Sequence, residues 1–235
     1  MIKISRKIFK MNDLSGLIIN WDGVCVSSVE ARHLAYCETF RQIGQGNRQW
    51  TKADTVAQSG RNPDKIWRDK TLWHENGALA KQVFYAAYMR LLPEYLKLND
   101  NVKTFLTVFK NRCPNVPIVI FGAKTEKVMY HEVNKLLPNE LVDKIYGSRS
   151  GSINNKDMSN PTSIKSILDS FNLPANAHTL YLGYKKSDEA LARSVGIAYQ
   201  NGQSFMLDYL SNNLGKSIVK ADVMPFVYSF EHTKE

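Results

Sequence analysis

The residues best suited to chemistry follow three short apolar runs of the 235-residue sequence. Asn20 and Asp22 come after the first run, Lys124 after the second, and Asp188 after the third. Carboxylates can act as nucleophiles, as general acids or bases, or as metal ligands, and a lysine can hold a phosphate. Because these residues are far apart in the sequence, they can act together only if the fold brings the ends of the runs together.

The pattern of apolar residues predicts that arrangement. The runs at 17–19, 117–121 and 179–182 are typical of buried strands, and each stops at a glycine or a polar turn. Amphipathic helices are predicted at residues 102–109, 126–137 and 164–171. Alternating strands and helices predict an α/β fold with a Rossmann-like parallel sheet. Such sheets bind ligands beyond the carboxyl ends of their strands, which is where the polar residues lie.

A long helical region interrupts this alternation directly after the first strand. Its two helical patterns, at 29–43 and 80–91, are separated by a polar stretch at 44–76 that we predict to be irregular. Most aromatic residues of this region are expected to form its own core. The predicted segments are an α/β core at 14–28 and 96–213, a helical cap at 29–95, a basic N-terminal tail at 1–13 and a C-terminal extension at 214–235.

Composition limits the class of protein. Hydrophobic residues make up 43% and charged residues 23% of the chain, values that exclude a disordered or membrane-bundle protein. The net charge of +9 suits an acidic partner, but nucleic-acid binding is suggested by charge alone, because no nucleic-acid-binding motif is present. No apolar run is long enough to span a membrane. Three scattered cysteines indicate a reducing, cytoplasmic location. A place beside a membrane complex is left open, and an organellar location is the less favoured alternative.

The residues at the strand ends form a set of motifs. Residues 20–23 are Asn-Trp-Asp-Gly, and residues 183–188 are Gly-Tyr-Lys-Lys-Ser-Asp. They resemble the Asp-x-Asp-Gly and Gly-Asp-x-x-x-Asp motifs of the haloacid dehalogenase (HAD)-like superfamily, in its branch of phosphoglycolate phosphatases and β-phosphoglucomutases with a helical cap. The resemblance covers about residues 14–200. It implies a HAD-like core and phosphoryl transfer through an aspartate with Mg²⁺.

The same resemblance implies a degenerate site. In the family the first aspartate attacks the phosphoryl group and ligates Mg²⁺, but Asn20 stands there in this chain. Gly122 replaces a serine or threonine, and Tyr184 replaces an aspartate of the fourth motif. Asp22 aligns with the general acid or base, or it has only a role in the turn. Asp188 is a remnant metal ligand, or an acidic residue favoured in the first turn of a helix.

Lysines near these motifs leave a binding role open. Lys156 lies near the position of the family's phosphate-balancing lysine, although counting back from the next helix puts Met158 there. Lys124, Lys185 and Lys186 follow the strand ends and are candidate anion-binding residues. The five histidines show no metal-ligand spacing, and we expect no metal site.

The C-terminal extension carries an apolar segment. Val223, Met224, Phe226 and Tyr228 lie close together near the end of the chain. Such a segment can fold back on its own domain or dock on another protein. These four residues are therefore candidate partner-binding residues.

These observations favour a catalytically inactive HAD-like protein. Loss of a covalent nucleophile lowers turnover by on the order of 10⁶-fold. We expect an adaptor or structural subunit of a larger complex, such as a secretion or ribonucleoprotein machine, with no cofactor. The alternative is a divergent Mg²⁺-dependent phosphatase acting on a small phosphorylated metabolite. A second alternative is a sensor that binds such a metabolite without hydrolysing it.

Overall fold

The structure is a computed structural model that describes residues 13–58, 66–148 and 161–214. The elements up to the return from the helical region are β1 (Gly16–Asn20), β2 (Val26–Ser27), α1 (Val29–Gln42), α2 (Lys52–Ala57), α3 (Lys70–Trp73), α4 (Gly77–Tyr95) and β3 (Lys97–Leu98). They are followed by α5 (Val102–Arg112), β4 (Ile118–Thr125), α6 (Glu126–Leu136), β5 (Lys144–Ser148), α7 (Pro161–Ser170), β6 (Thr179–Gly183), α8 (Lys186–Ser194), β7 (Ala198–Asn201) and α9 (Gly202–Leu214).

The main sheet has five strands in the order β5-β4-β1-β6-β7. Every pair of neighbouring strands is parallel, and β1 lies in the middle with all five residues buried. In the register, Asn20 is paired with Phe121 of β4, and Ile18 with Tyr181 of β6. The predicted α/β fold with a Rossmann-like parallel sheet is confirmed. Because the strands are parallel, the three predicted polar strand ends meet at one edge of the sheet.

Helices α1 to α4 lie between β2 and β3, in the segment for which the sequence predicts the cap. The chain leaves the core and returns to it through the short antiparallel pair β2–β3, in which Val26 is paired with Leu98. Helices α1 and α4 pack against each other, and aromatic rings fill the space around them. Tyr36, for example, stacks on Trp73 with ring centroids 6.1 Å apart. Most of the cap's aromatic residues therefore form its own core, as the sequence predicts.

The predicted irregular stretch at 44–76 contains two short helices, α2 and α3, so that prediction was wrong there. Helix α2 begins at a capping box: Thr51 Oγ1 accepts from the amide of Asp54, and the Asp54 carboxylate accepts from the amide of Thr51. This arrangement satisfies amides that a helix start leaves without partners. A threonine followed three residues later by an aspartate is a helix-start signal, and it outweighs the polar composition that made the stretch look irregular.

A single apolar cluster joins the cap to one face of the sheet. It includes Leu17 and Trp21 of the first strand and its following turn, Met129 of α6, and Tyr36 and Tyr88 of the cap. A second cluster, beneath α7 and α8, covers the other face of the sheet. The cap is therefore packed onto the core in this structure. Within the described ranges, every helix is too short or too polar to cross a lipid bilayer.

Candidate functional site

Asn20 ends the central strand and is only 2% exposed. Its side-chain nitrogen Nδ2 donates to Asp188 Oδ2 over 3.3 Å. Its oxygen Oδ1 is buried and has no hydrogen-bond partner. A neutral amide that donates to a neighbouring carboxylate has no anionic oxygen with which to attack a phosphoryl group.

Asp188 is held by the backbone at the start of α8. Besides the Asn20 amide, its Oδ2 accepts the backbone N–H groups of Tyr184, at 2.9 Å, and Lys185, at 3.1 Å. In a capping box, the side chain of the third helical residue accepts from the backbone N–H of the residue before the helix, as Asp188 does from Lys185. This geometry favours the interpretation of Asp188 as a helix-start residue over that of a remnant metal ligand.

Tyr184 covers the turn after β1. Gly23 in that turn has a φ of +88°, which favours glycine, and a Cβ there would come within 2.4 Å of Tyr184 Cε1. Lys185 Nζ lies 4.9 Å from the centre of the Tyr184 ring, within the range of a cation–π contact. An aromatic ring thus occupies the place for which the resemblance predicts a carboxylate.

Gly122 is required by its packing. A Cβ at this position would lie 2.6 Å from Met129 Sδ and 2.7 Å from Met129 Cε. Met129 is completely buried on α6, so a side chain at position 122 would require the end of the Met129 side chain to shift within the core. Methionine therefore fills the volume that a serine or threonine side chain would need.

Asp22 is bound by a lysine and a serine. Lys124 Nζ lies 2.8 Å from Asp22 Oδ1, and Ser28 Oγ donates to the same oxygen over 2.5 Å. Burial raises the pKa of Asp22, but the charges of Lys124 and Arg32 and these hydrogen bonds outweigh it, so its pKa is below the ordinary value. Asp22 is therefore ionised near neutral pH, a state that suits a general base and does not suit a general acid.

Lys124 also contacts Glu132, a residue that the sequence analysis did not identify. Lys124 Nζ lies 2.7 Å from Glu132 Oε2, and the Glu132 side chain is completely buried. Burial lowers the pKa of Lys124, but the charge of Asp22 and the neighbouring Tyr88 and Glu132 outweigh it and raise the pKa above the ordinary value. Lys124 is thus a fixed cation between two carboxylates.

Glu132 is the centre of a buried polar network. Trp21 Nε1 donates to its Oε2 over 2.7 Å, and Tyr88 Oη donates to its Oε1 over 2.8 Å. The signal in the sequence was a charged residue within the apolar stripe of α6, beside Met129 and Val133. A charge in such a stripe is rare unless it is paired.

Two further candidate residues, Lys185 and Lys186, follow strand β6. Lys186 is exposed at the first residue of α8. Lys185 is half-buried, and burial lowers its pKa below the ordinary value. Five candidates lie outside the described residues: Lys156, Val223, Met224, Phe226 and Tyr228.

Comparison of the whole fold with solved structures gives consistent matches. A haloacid dehalogenase-like hydrolase from Streptococcus pneumoniae is 18% identical, covers 83% of this chain and 91% of its own, and has a TM-score of 0.63. A predicted phosphoglycolate phosphatase from Haemophilus somnus is 18% identical, with coverages of 80% and 84% and a TM-score of 0.66. A candidate β-phosphoglucomutase from Thermotoga maritima is 16% identical, with coverages of 85% and 100% and a TM-score of 0.64.

The chain has the HAD-like fold. The predicted resemblance to the phosphoglycolate phosphatase and β-phosphoglucomutase branch is confirmed at the level of the fold. No protein-family model and no curated protein matches the sequence. The HAD-like fold is thus shared by proteins whose sequences differ greatly. At identities this low, the role of a residue in one protein cannot be assigned to the matching residue of another.

The HAD-like fold implies a Mg²⁺ ion, and the donor atoms at this edge of the sheet fit one poorly. Mg²⁺ requires about six oxygen ligands, including one or two carboxylates. Asp22 is bound to an ammonium group, and Asp188 Oδ2 accepts three N–H groups. Asn20 Oδ1 is the one buried oxygen of these three side chains with no partner. No group of three or more histidine, cysteine, aspartate or glutamate residues in the described ranges is arranged to hold a metal.

Proposed function

We propose that this HAD-like protein performs no aspartyl-phosphate chemistry and acts by binding another protein, as an adaptor or subunit of a complex. The observation that carries the proposal is the buried amide of Asn20, which donates to Asp188 in place of an attacking carboxylate. Loss of such a nucleophile alone lowers turnover by on the order of 10⁶-fold.

Two further features support the absence of this chemistry. The space for a phosphate-holding hydroxyl at Gly122 is filled by Met129. The nearest lysine to Asp22 is already paired with two carboxylates, so its charge is compensated within the protein. The same pairing leaves Lys124 without a free charge for a phosphorylated metabolite, so the sensor has the least support.

The second candidate is a divergent Mg²⁺-dependent phosphatase acting on a small phosphorylated metabolite. The fold comparisons favour it over the adaptor, because the matched proteins are described as hydrolases, a phosphatase and a mutase, and none as a subunit of a complex. This support comes from the fold alone. Within the site it would have to operate without a carboxylate at position 20.

A phosphatase assay separates the two candidates. The purified full chain is incubated with Mg²⁺ and a panel of phosphorylated metabolites, beside the variants Asp22→Ala and Asp208→Ala. Asp208 is exposed on α9 and serves as the matched control. We expect wild-type turnover to equal that of Asp22→Ala for every substrate. Turnover that Asp22→Ala abolishes and Asp208→Ala retains would establish the phosphatase instead.

The binding role needs a measurement of its own. The tagged full chain is recovered from its source cells under native conditions and weighed by native mass spectrometry. We expect a stoichiometric complex with at least one other protein. Recovery of the free monomer alone at cellular concentration would refute the adaptor proposal.

A further inference from the structure

Lys124 touches both parts of the molecule from one position. Its Nζ contacts the carboxylates of Asp22 and Glu132 in the core. The same Nζ lies 5.6 Å from the centre of the Tyr88 ring, which belongs to cap helix α4. Distances below about 6 Å allow a cation–π attraction. One ammonium group thus attracts the turn after β1, helix α6 and the cap.

The Glu132 carboxylate makes the same connection by hydrogen bonds. It accepts from Trp21 and Lys124 in the core and from Tyr88 in the cap. Its side chain is completely buried, so water cannot replace a missing donor in the closed arrangement. A buried carboxylate that loses a donor is strongly destabilised. Glu132 therefore needs the Tyr88 hydroxyl, which reaches it only while the cap is packed on the core.

The cap's first helix adds a charge to this arrangement. The charge of Arg32 in α1, after that of Lys124, lowers the pKa of Asp22, and Tyr36 and then Asp22 raise the pKa of Arg32. Ser28, which precedes α1 where the chain enters the cap, donates to Asp22 as well. Both cap helices that face the core thus have a polar contact or a charge attraction at the site.

We infer that Lys124 is a built-in cation that, through Glu132 and Tyr88, holds the cap closed on the core without a metal ion or a ligand. Closure is a constant property of the protein and requires no bound phosphate. The inference does not depend on which partner the protein binds.

Hydrogen–deuterium exchange of the full chain tests this inference with Tyr88→Phe. This substitution keeps the ring and removes only the hydroxyl that reaches Glu132. Tyr95→Phe, on the same helix, is the matched control. The informative peptides cover the β2–β3 pair, through which the chain enters and leaves the cap. Next to this pair, the backbone N–H of Asn99 donates to the carbonyl of Cys25. We expect exchange there to become about tenfold faster in Tyr88→Phe and unchanged in Tyr95→Phe.

The core strands β1 and β4 report whether the effect is specific. Their exchange is expected to stay at the wild-type rate in Tyr88→Phe, because only the cap is released. Equal acceleration in β1, β4 and the β2–β3 pair would mean a general loss of stability and would overturn the inference. An unchanged rate at the β2–β3 pair would overturn it too.

Two further measurements complete the test. Glu132→Gln removes the charge that pairs with Lys124, and exchange at the β2–β3 pair is expected to be at least as fast as in Tyr88→Phe. If Glu132→Gln does not fold, Tyr88→Phe decides alone. Wild-type protein is also measured with Mg²⁺ and inorganic phosphate added, and the same exchange rates are expected. Slower exchange at the β2–β3 pair on this addition would show that closure depends on a ligand and would contradict the inference.

Discussion

Asn20 and Asp22 lie two residues apart, yet they face different surroundings on the two sides of β1. On the β6 side, Asn20 makes one long amide contact with Asp188, and its oxygen is left without a partner. On the β4 side, Asp22, Lys124 and Glu132 form a network in which each charge has close partners. The β6 side has lost a charge, whereas the β4 side contains a cation of its own.

The two sides of β1 are therefore expected to differ in how much a substitution there lowers the free energy of unfolding. A missing charge on the β6 side costs little stability, because a neutral amide is less costly to bury than a carboxylate. A buried charge on the β4 side remains stable only while every partner is present. We therefore expect the stability of the protein to be much more sensitive to substitution on the β4 side.

The largest effect is expected for Lys124→Met. This variant leaves the carboxylates of Asp22 and Glu132 facing each other without the ammonium group between them. Breaking a buried ion pair from one side costs about 3–5 kcal/mol in the free energy of unfolding. Urea denaturation measures the loss, with Lys186→Met on the exposed start of α8 as the control. A loss equal to that of the control would show that the network does not stabilise the fold.

A smaller loss is expected for Asn20→Asp, the substitution that restores the family's residue. The new carboxylate faces Asp188 Oδ2 at the position of the present amide contact, and two like charges there oppose each other. We expect a decrease of about 2–3 kcal/mol at neutral pH, measured by urea denaturation. Asn134→Asp on the exposed side of α6 is the control. Increased stability of Asn20→Asp would mean that the β6 side still accommodates a second carboxylate.

Gly122→Ser tests the packing between the two sides. Its Cβ would clash with Met129, and overpacking of a core costs about 1–3 kcal/mol. Met129→Ala in the same chain makes room, so the double variant should lose less than the sum of the two single losses. Gly46→Ser is the control, since the nearest atom to a Cβ there is 3.8 Å away. Additive losses in the double variant would contradict the packing argument.

The smallest expected effect is a dependence of the free energy of unfolding on pH, caused by Asp22 and Lys124 on the β4 side. The pKa of Asp22 is lowered in the folded state, so its contribution is present above the unfolded value of about 3.9 and is lost as the pH falls through the folded value. The pKa of Lys124 is raised, so its contribution is complete below about 10.4 and is lost only as the pH rises through the folded value.

Urea denaturation of wild type and Asp22→Asn at a series of pH values measures how the contribution of Asp22 is lost at low pH. The difference in the free energy of unfolding should be constant between about pH 5 and pH 8 and shrink below about pH 4. A difference that stays the same at pH 3 would mean that Asp22 does not contribute through its charge.

Much of the fold could be predicted from the sequence, because apolar periodicity is a local property. The runs at 17–19 and 179–182 are strands, and the helical patterns near Val102 and Ile164 are helices. The capping box at Thr51 was also readable, although the polar composition around it concealed helix α2.

The arrangement of the site could be predicted only in part. The amide at Asn20 is visible in the sequence, and so is its consequence for nucleophilic attack. The partnership of Lys124 with Glu132 joins two neighbouring elements, and that with Tyr88 joins residues 36 positions apart across the cap boundary. Such contacts depend on how the cap packs on the core, which local patterns do not specify.

The central claim is that Asn20 provides no nucleophile for phosphoryl transfer, and intact-mass spectrometry tests it most directly. The purified chain is incubated with Mg²⁺ and acetyl phosphate, quenched in acid and weighed, beside Asn20→Ala. We expect the mass of the unmodified chain in both samples. A phosphoryl adduct on the wild-type chain that Asn20→Ala removes would contradict the claim.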